Sequence, residues 1–143
     1  MRRIACLLLV ASVLFLTGCT SYTSGLQQSI ARADETAAIM ALRGVASAEN
    51  AYSLSNGVYG SMQQLTQSAF LDSRFSTERP TKNYVFKINV TPTSAGEAAF
   101  YSCNADPLPA SDRIGRHFYI DSTSASIHTN DSQPATPSDP IMQ

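Results

Sequence analysis

The longest periodic pattern in the chain runs along residues 34–52 and extends back to Ile30. Apolar and small residues recur there at steps of three and four, which places them on one side of an α-helix. They are Ile30, Ala33, Ala37, Ala41, Val45, Ala48 and Tyr52. The polar residues between them should face solvent; they are Asp34, Glu35, Arg43, Glu49 and Asn50. The pattern predicts a helix from about Leu26 to about Leu54, followed by a stop at Asn56-Gly57.

After this helix, the pattern predicts a sheet. Ser61 and Gln64 have the spacing of a capping box and predict a short helix that runs to about Ala69. From Asn83 to Val90 apolar and polar residues alternate, which is typical of a half-buried strand. Return strands are predicted over residues 98–104, 116–121 and 125–129. The expected fold class is α+β, with a long N-terminal helix packed on a three- to four-stranded antiparallel sheet.

The first residues have the parts of a secretory signal. Arg2 and Arg3 precede an apolar run, Ile4–Leu16, which is shorter than the roughly 20 residues that a spanning helix needs. The next residues, Leu16-Thr17-Gly18-Cys19, resemble the end of a bacterial lipoprotein signal. The resemblance implies that Cys19 is lipidated, becomes the first residue of the mature chain and holds it at a membrane. Thr20 follows the cysteine, where aspartate is the usual inner-membrane signal, so an outer-membrane location is expected over an inner one. An ordinary cleaved signal is the alternative.

The predicted organisation is therefore a lipoprotein signal peptide at 1–18, a tether at 19–25, an α+β domain at 26–129 and a disordered, flexible tail at 130–143. Removing 18 of the 143 residues leaves 125, with 8 basic residues, since Arg2 and Arg3 leave, against 11 acidic ones. A net charge of −3 without a basic stripe excludes nucleic acid as an expected partner. The length suits one domain.

The candidates for chemistry are few. If Cys6 leaves with the signal and Cys19 carries lipid, Cys103 is left alone in an apolar strand pattern and is expected to be a small buried side chain. His117 and His128 lack metal-ligand spacing. His117 could form a nucleophile pair with Cys103 or Ser102, but no orienting acid or oxyanion loop is identifiable. We therefore predict no enzyme, catalytic residue, cofactor or small-molecule substrate.

Three stretches of the mature chain carry a family resemblance: the helix residues Leu42–Tyr52, then Asn104-Ala105-Asp106-Pro107, then Gly115–Asp121. In this order they resemble the type IV pilins and type II secretion pseudopilins. It implies a long N-terminal helix across an antiparallel sheet. This sequence departs from the family because a lipoprotein signal and a tether replace the hydrophobic half of the pilin helix, which disfavours a filament subunit.

The expected function is thus structural. The protein should be a lipid-anchored docking or assembly factor at the cell envelope, beside a secretion or type IV pilus system. The alternative is a small binding module, because some pseudopilins hold calcium in C-terminal loops and calcium takes oxygen ligands. Asp106, Asp112, Asp121 and Asp131 lie in or beside such loops. They lack compact D-x-D-x-D spacing, so solvated turn residues are the simpler expectation.

Overall fold

The computed structural model describes the backbone of residues 2–77, 80–94, 98–108 and 115–142, and side chains from Gly25 onward within those ranges. Two helices, α1 (Arg2–Asn56) and α2 (Met62–Gln67), are followed by a 3₁₀ turn (Ser73–Ser76). Four strands complete the order: β1 (Tyr84–Thr91), β2 (Phe100–Pro107), β3 (His117–Asp121) and β4 (Ser124–Asn130). The strands form one antiparallel sheet in the order β1-β2-β3-β4. The predicted α+β class, one long helix on a four-stranded antiparallel sheet, is confirmed.

The start of α1 differs from the prediction, whereas its end agrees with it. The helix begins at Arg2 rather than near Leu26, because no proline interrupts the preceding residues. Its backbone includes residues 19–25, where a tether is expected. At the other end Gly57 has a φ of 74°, and its N–H donates to the Ser53 carbonyl oxygen over 2.8 Å. This is the left-handed stop predicted from Asn56-Gly57.

The face of α1 that meets the sheet is rotated relative to the predicted stripe. Its buried residues are Ala38, Ala41, Leu42, Val45, Ala48, Glu49 and Tyr52. Ile30, Ala33 and Ala37, which the periodicity assigns to the buried side, are exposed. All of residues 25–30 are exposed, so this first part of the described helix has no core to pack on. The stripe was therefore predicted correctly only over its second half.

The sheet has one face toward α1 and one face away from it. On β1, burial alternates as predicted, with Tyr84 and Phe86 in the core and Lys87 exposed. On β2, whose facing the sequence leaves open, Cys103 and Ala105 join the core. Ser102 and Asn104 alternate with them and lie on the far face. That far face carries most of the polar side chains discussed below.

The segment after β4 lies against the sheet. The Thr129 N–H donates to Pro140 O over 3.0 Å, and the Met142 N–H donates to Ile127 O over 2.8 Å, so residues 140–142 pair with the outer edge of β4. Ala135 is 2 % exposed, and its carbonyl accepts from Asn104 Nδ2. These contacts differ from the disordered tail predicted at 130–143. The prediction was based on low apolar content, whereas the segment is held by hydrogen bonds from both backbone and side-chain groups of the sheet.

The short helix α2 follows its predicted cap. The Ser61 side chain accepts from the Gln64 N–H, and the Gln64 side chain accepts from the Ser61 N–H. The helix ends at Gln67, two residues before the predicted Ala69. Leu65, on its inner side, is fully buried. The capping box thus determines where the chain turns back onto α1.

Candidate functional site

Glu49 is a fully buried carboxylate on α1, with 0 % of its surface exposed. Its Oε2 accepts a hydrogen bond from the Gly60 N–H over 2.9 Å. Its Oε1 is buried and has no hydrogen-bond partner among the residues that the structure describes. The sequence analysis places Glu49 on the solvated side of the helix, and that prediction is wrong.

The electrostatics of Glu49 follow from this burial. Loss of water disfavours the charged form and raises the pKa to about 7, although the hydrogen bond from Gly60 acts in the opposite direction. Two titratable groups on β2 are affected by the charge of Glu49. Burial, followed by the Glu49 charge, raises the pKa of Tyr101 and of Cys103 far above their usual ranges. Glu49 therefore ionises near neutral pH among neutral neighbours.

An aromatic pair joins the turn after α1 to strand β2. The rings of Tyr59 and Tyr101 have centroids 4.9 Å apart and meet edge to face at 64°. We call Glu49, Tyr59, Gly60 and Tyr101 the Glu49 site. It joins α1, the turn after α1 and strand β2.

The sequence does contain a signal for the Glu49 site. Leu42, Val45, Glu49 and Tyr52 are spaced by three, four and three residues, so all four lie on one helix face. Three of them are apolar or aromatic residues buried in the core. A carboxylate inside an otherwise apolar row indicates a buried charge, whereas residue type alone suggests a solvated one.

His117 has an acid partner on the far face of the sheet. Its Nδ1 lies 2.6 Å from Asp106 Oδ1. Cys103 belongs to the core on the opposite face, and Ser102 pairs in register with Asp121, four positions along β3 from His117. The structure therefore does not bring His117 together with either proposed nucleophile.

His128 holds the C-terminal segment. Its Nδ1 lies 2.7 Å from the carbonyl oxygen of Asp139, and a carbonyl can only accept, so Nδ1 carries the hydrogen. The Asp139 side chain accepts from Asn130 Nδ2 and from the Thr136 N–H and hydroxyl. Within the described ranges, no group of three His, Cys, Asp or Glu side chains could hold a metal ion.

The described aspartates proposed for calcium either have hydrogen-bond partners within the chain or are exposed to solvent. Asp106 pairs with His117, and Asp131 is exposed. Asp121 accepts from the Thr123 N–H and hydroxyl, the Ser124 N–H and the Tyr119 hydroxyl. Burial alone would raise its pKa, but these hydrogen bonds together lower it. Asp112 lies outside the described residues.

Two further carboxylates from the predicted solvated face contact the sheet region. Glu35 accepts from the Arg116 side chain at 2.8 Å and 3.2 Å and from the Arg116 N–H at 3.1 Å. Asp34 accepts from Asn83 Nδ2. The hydrogen bonds to Glu35 raise the pKa of Arg116, which keeps its charge. These contacts attach the first buried turns of α1 to the start of β3 and the approach to β1.

A groove of about 650 Å³ lies between α2 and β1. Lys87 is the one charged residue in its described lining, which otherwise includes Met62, Thr66, Phe75 and Ile88. His117 and Glu49 do not line it. Its described lining contains hydroxyl side chains and Lys87 but no histidine, cysteine or carboxylate.

The surface of α1 carries several exposed apolar side chains. Leu54 is 89 % exposed and Met40 is 62 % exposed, and Leu26 and Ile30 also face solvent. Leu26, Ile30 and Met40, together with Ala33 and Ala37, fall at alternating steps of four and three along one flank of the helix, and Leu54 lies near its end. Among the residues with described side chains, no helix is both long and apolar enough to cross a membrane.

Comparison with protein-family models, with curated proteins and with solved structures finds no match for this chain. The side chain of Cys19, the predicted lipidation site, lies outside the part of the chain with described side chains.

Proposed function

We propose that this protein is a membrane-anchored bacterial lipoprotein whose α+β domain has a structural or docking role at the cell envelope. The observation that carries the proposal is Leu16-Thr17-Gly18-Cys19 at the end of the apolar run Ile4–Leu16. A short apolar run bounded by arginines and small residues is what a signal peptidase requires, and a cysteine thiol can carry a lipid. Thr20 favours the outer membrane over the inner one.

The domain is proposed to be pilin-like and to act beside a secretion or type IV pilus system. The arrangement of one long helix on a four-stranded antiparallel sheet supports this, as do the residues Leu42–Tyr52 that resemble the pilin helix. The partner system is proposed by analogy of fold. A lipid on Cys19 would replace the apolar pilin half-helix, so the role is at a membrane surface rather than in a filament core.

A docking role also needs surface that can contact another protein. The exposed apolar side chains Leu26, Ile30, Met40 and Leu54 on α1 provide surface of this kind. The polar side chains of the far face are used for contacts inside the chain, such as His117 with Asp106 and His128 with Asp139. Few polar side chains of the described far face are then left for a catalytic role.

The anchor is tested by the intact mass of the protein purified from its own membranes. We expect residues 19–143 plus acyl groups, found in the membrane fraction. Cys19→Ala should abolish both the acyl mass and the membrane retention of the mature chain, because the thiol is the attachment point. Cys6→Ala is the matched control, since Cys6 lies within the predicted signal, and it should change neither. A mature chain without lipid would overturn the anchor.

The docking role is tested separately, by crosslinking in the native cell. We expect a crosslinked species with a component of an envelope assembly, lost when Cys19→Ala removes the anchor. Capture of the monomer alone would contradict the docking role and leave the anchor standing.

A further inference from the structure

One hydrogen bond to a buried carboxylate joins the long helix to the turn that leads into α2. Glu49 Oε2 accepts from the Gly60 N–H over 2.9 Å, and Ser61, the next residue, caps α2. At the start of the turn between Gly57 and Gly60, the Gly57 N–H donates to Ser53 O. The position of the turn against α1 therefore depends on the Glu49 carboxylate.

The approach of the turn to the helix is close. A Cβ built on Gly60 would lie 3.1 Å from the Tyr52 ring and 3.2 Å from Leu65 Cδ2, so a larger residue would push the backbone away from Glu49. Gly60 itself is buried. Water reaches neither oxygen of Glu49 while the turn is in this position.

The groups that face Glu49 offer no opposite charge. Tyr52 lies on α1, Tyr59 on the turn, and Tyr101 and Cys103 on β2, and burial raises the pKa of both β2 groups. Asp121, which acts on Tyr101 from the β3–β4 turn, is acidic too. No ion pair of Glu49 exists among the described residues. An ionised Glu49 would thus rely on the Gly60 N–H alone, with Oε1 bare in a buried setting.

We propose that Glu49 is a proton-operated latch: in its protonated form it keeps the 57–60 turn closed on α1, and loss of the proton opens the turn so that the carboxylate reaches water. The physical reason is that a buried neutral carboxyl costs much less than a buried carboxylate with one hydrogen bond and no counter-charge. The pKa of about 7 in the closed form places the change near neutral pH.

Opening alters a defined part of the surface. Tyr59 separates from Tyr101, whose ring it contacts edge to face, and the turn residue Val58, already 45 % exposed, moves with it. The N-cap of α2 follows directly, so the start of that helix loosens as well. The latch would make this end of the domain respond to the pH outside the protein, and it does not depend on the lipid anchor or on a docking partner.

Hydrogen exchange of the full chain in detergent micelles tests the latch. The measured quantity is the protection of the amides of residues 57–61, corrected for the intrinsic pH dependence of exchange, at pH 5.5 and pH 8.5. We expect protection at the higher pH to be at least about tenfold lower, since a group with a pKa near 7 is largely ionised there. Glu49→Gln, which keeps an acceptor for Gly60 and has no charge, should remove the difference.

Glu35→Gln is the matched control, because Glu35 lies on the same helix but pairs with Arg116, and it should keep the wild-type pH dependence. Equal protection at both pH values in the wild type, or an unchanged drop in Glu49→Gln, would overturn the proposal. If Glu49→Gln does not fold, the carboxyl ¹³C shift of Glu49 in the wild type decides instead. An inflection near neutral pH supports the latch, and one near the ordinary value of 4.5 refutes it.

Discussion

Cys103 and Glu49 lie close enough that the charge of one affects the other, yet their chemistry differs. Cys103 is 0 % exposed, stands opposite Ile88 and Ile120 in the sheet, and donates from its Sγ to the Asn104 carbonyl oxygen over 3.8 Å. Burial raises the pKa of its thiol, and the Glu49 charge raises it further. Such a thiol is protonated and inert, since the thiolate is the reactive form.

Cys103 should therefore be unreactive in the folded protein. In a chain with Cys6 and Cys19 replaced by Ser, we expect a thiol reagent at pH 8 to leave Cys103 unmodified until denaturant unfolds the domain. Ser47→Cys, exposed on α1, is the control that should react at once. Rapid modification of Cys103 in native buffer, measured by absorbance, would show that the strand opens or that the thiol is activated.

Two carboxylates show how hydrogen bonds decide between opposite pKa shifts. Asp121 and Glu49 are both buried, which raises the pKa of a carboxyl. Asp121 accepts from the Thr123 N–H and hydroxyl, from Ser124 and from Tyr119, and the sum lowers its pKa. Glu49 has one donor, and its pKa is raised. The number of aimed donors, and not burial alone, thus determines which form is stable.

On the scale of elements, two glycines in and directly after α1 have different backbone requirements. Gly44 lies inside the helix, and a Cβ there would meet nothing within 4 Å. No packing contact among the described residues requires a glycine at this position. Gly57 follows the helix in the left-handed region, where a side chain is strained.

Substituting the two glycines should change stability in opposite directions. We expect Gly44→Ala to stabilise the fold by about 1 kcal/mol, because alanine loses less backbone entropy in a helix. Gly57→Ala should destabilise it by about 1 kcal/mol, because of the positive φ. Urea unfolding of the single variants and the double variant measures this, and the double variant should match wild type. A loss of stability in Gly44→Ala would show that something contacts this side of the helix.

The C-terminal segment acts as an element although it has no regular secondary structure. Its backbone pairs with the edge of β4 at Thr129 and Ile127, and Ala135 fills a buried place on the sheet. A covered edge strand is also protected against pairing with other chains.

Removing residues 131–143 should cost roughly 2–4 kcal/mol of unfolding free energy, because several hydrogen bonds and one buried side chain are lost together. The truncated chain should also self-associate more readily through the bare edge of β4. Thermal unfolding and light scattering measure the two effects. Asp131→Ala, at an exposed position of the same segment, is the control expected to have no effect. Equal melting temperatures for the full and truncated chains would show that the segment contributes nothing.

For the whole molecule, the titration of these groups sets the pH range of greatest stability. The folded pKa of Glu49 lies above its ordinary value, so its contribution is complete below about pH 4.5 and is lost as pH rises through about 7. The lowered pKa of Asp121 acts with the opposite sign, and its contribution is lost as pH falls below the ordinary value. These two groups together therefore place maximum stability at acidic pH, near the ordinary Glu value of 4.5, because Glu49 costs stability as pH rises above that value.

Glu49→Gln should flatten the alkaline side of this profile. We compare the unfolding free energy of the variant with that of wild type at each pH. Between pH 4.5 and pH 8 this difference should shift in favour of the variant by roughly 2–3 kcal/mol, because about two pKa units of ionisation cost are removed. Denaturant unfolding at both pH values gives the two differences. Glu35→Gln should not show this pattern. Parallel profiles for wild type and Glu49→Gln would mean that the pKa of Glu49 is the same in the folded and unfolded states.

Several features could be predicted from the sequence because they depend on neighbouring residues. The capping pair Ser61 and Gln64, the stop at Gly57 and the alternation from Tyr84 to Val90 each reflect local backbone preferences and a repeat of fixed period. The fold class follows from the order of these periods. The signal sequence that supports the proposed anchor is likewise a contiguous pattern.

Only the tertiary structure decided which side chains are enclosed. The helix period allowed a stripe through Ala37, but contact with the sheet selected the face with Ala38, Leu42 and Glu49. The docking of residues 131–142 on β4 likewise depends on hydrogen bonds between segments that no local pattern relates. Periodicity determines which residues share a face, whereas burial depends on what that face meets. The charge of Glu49 is therefore a property of the fold and not of its position in the sequence.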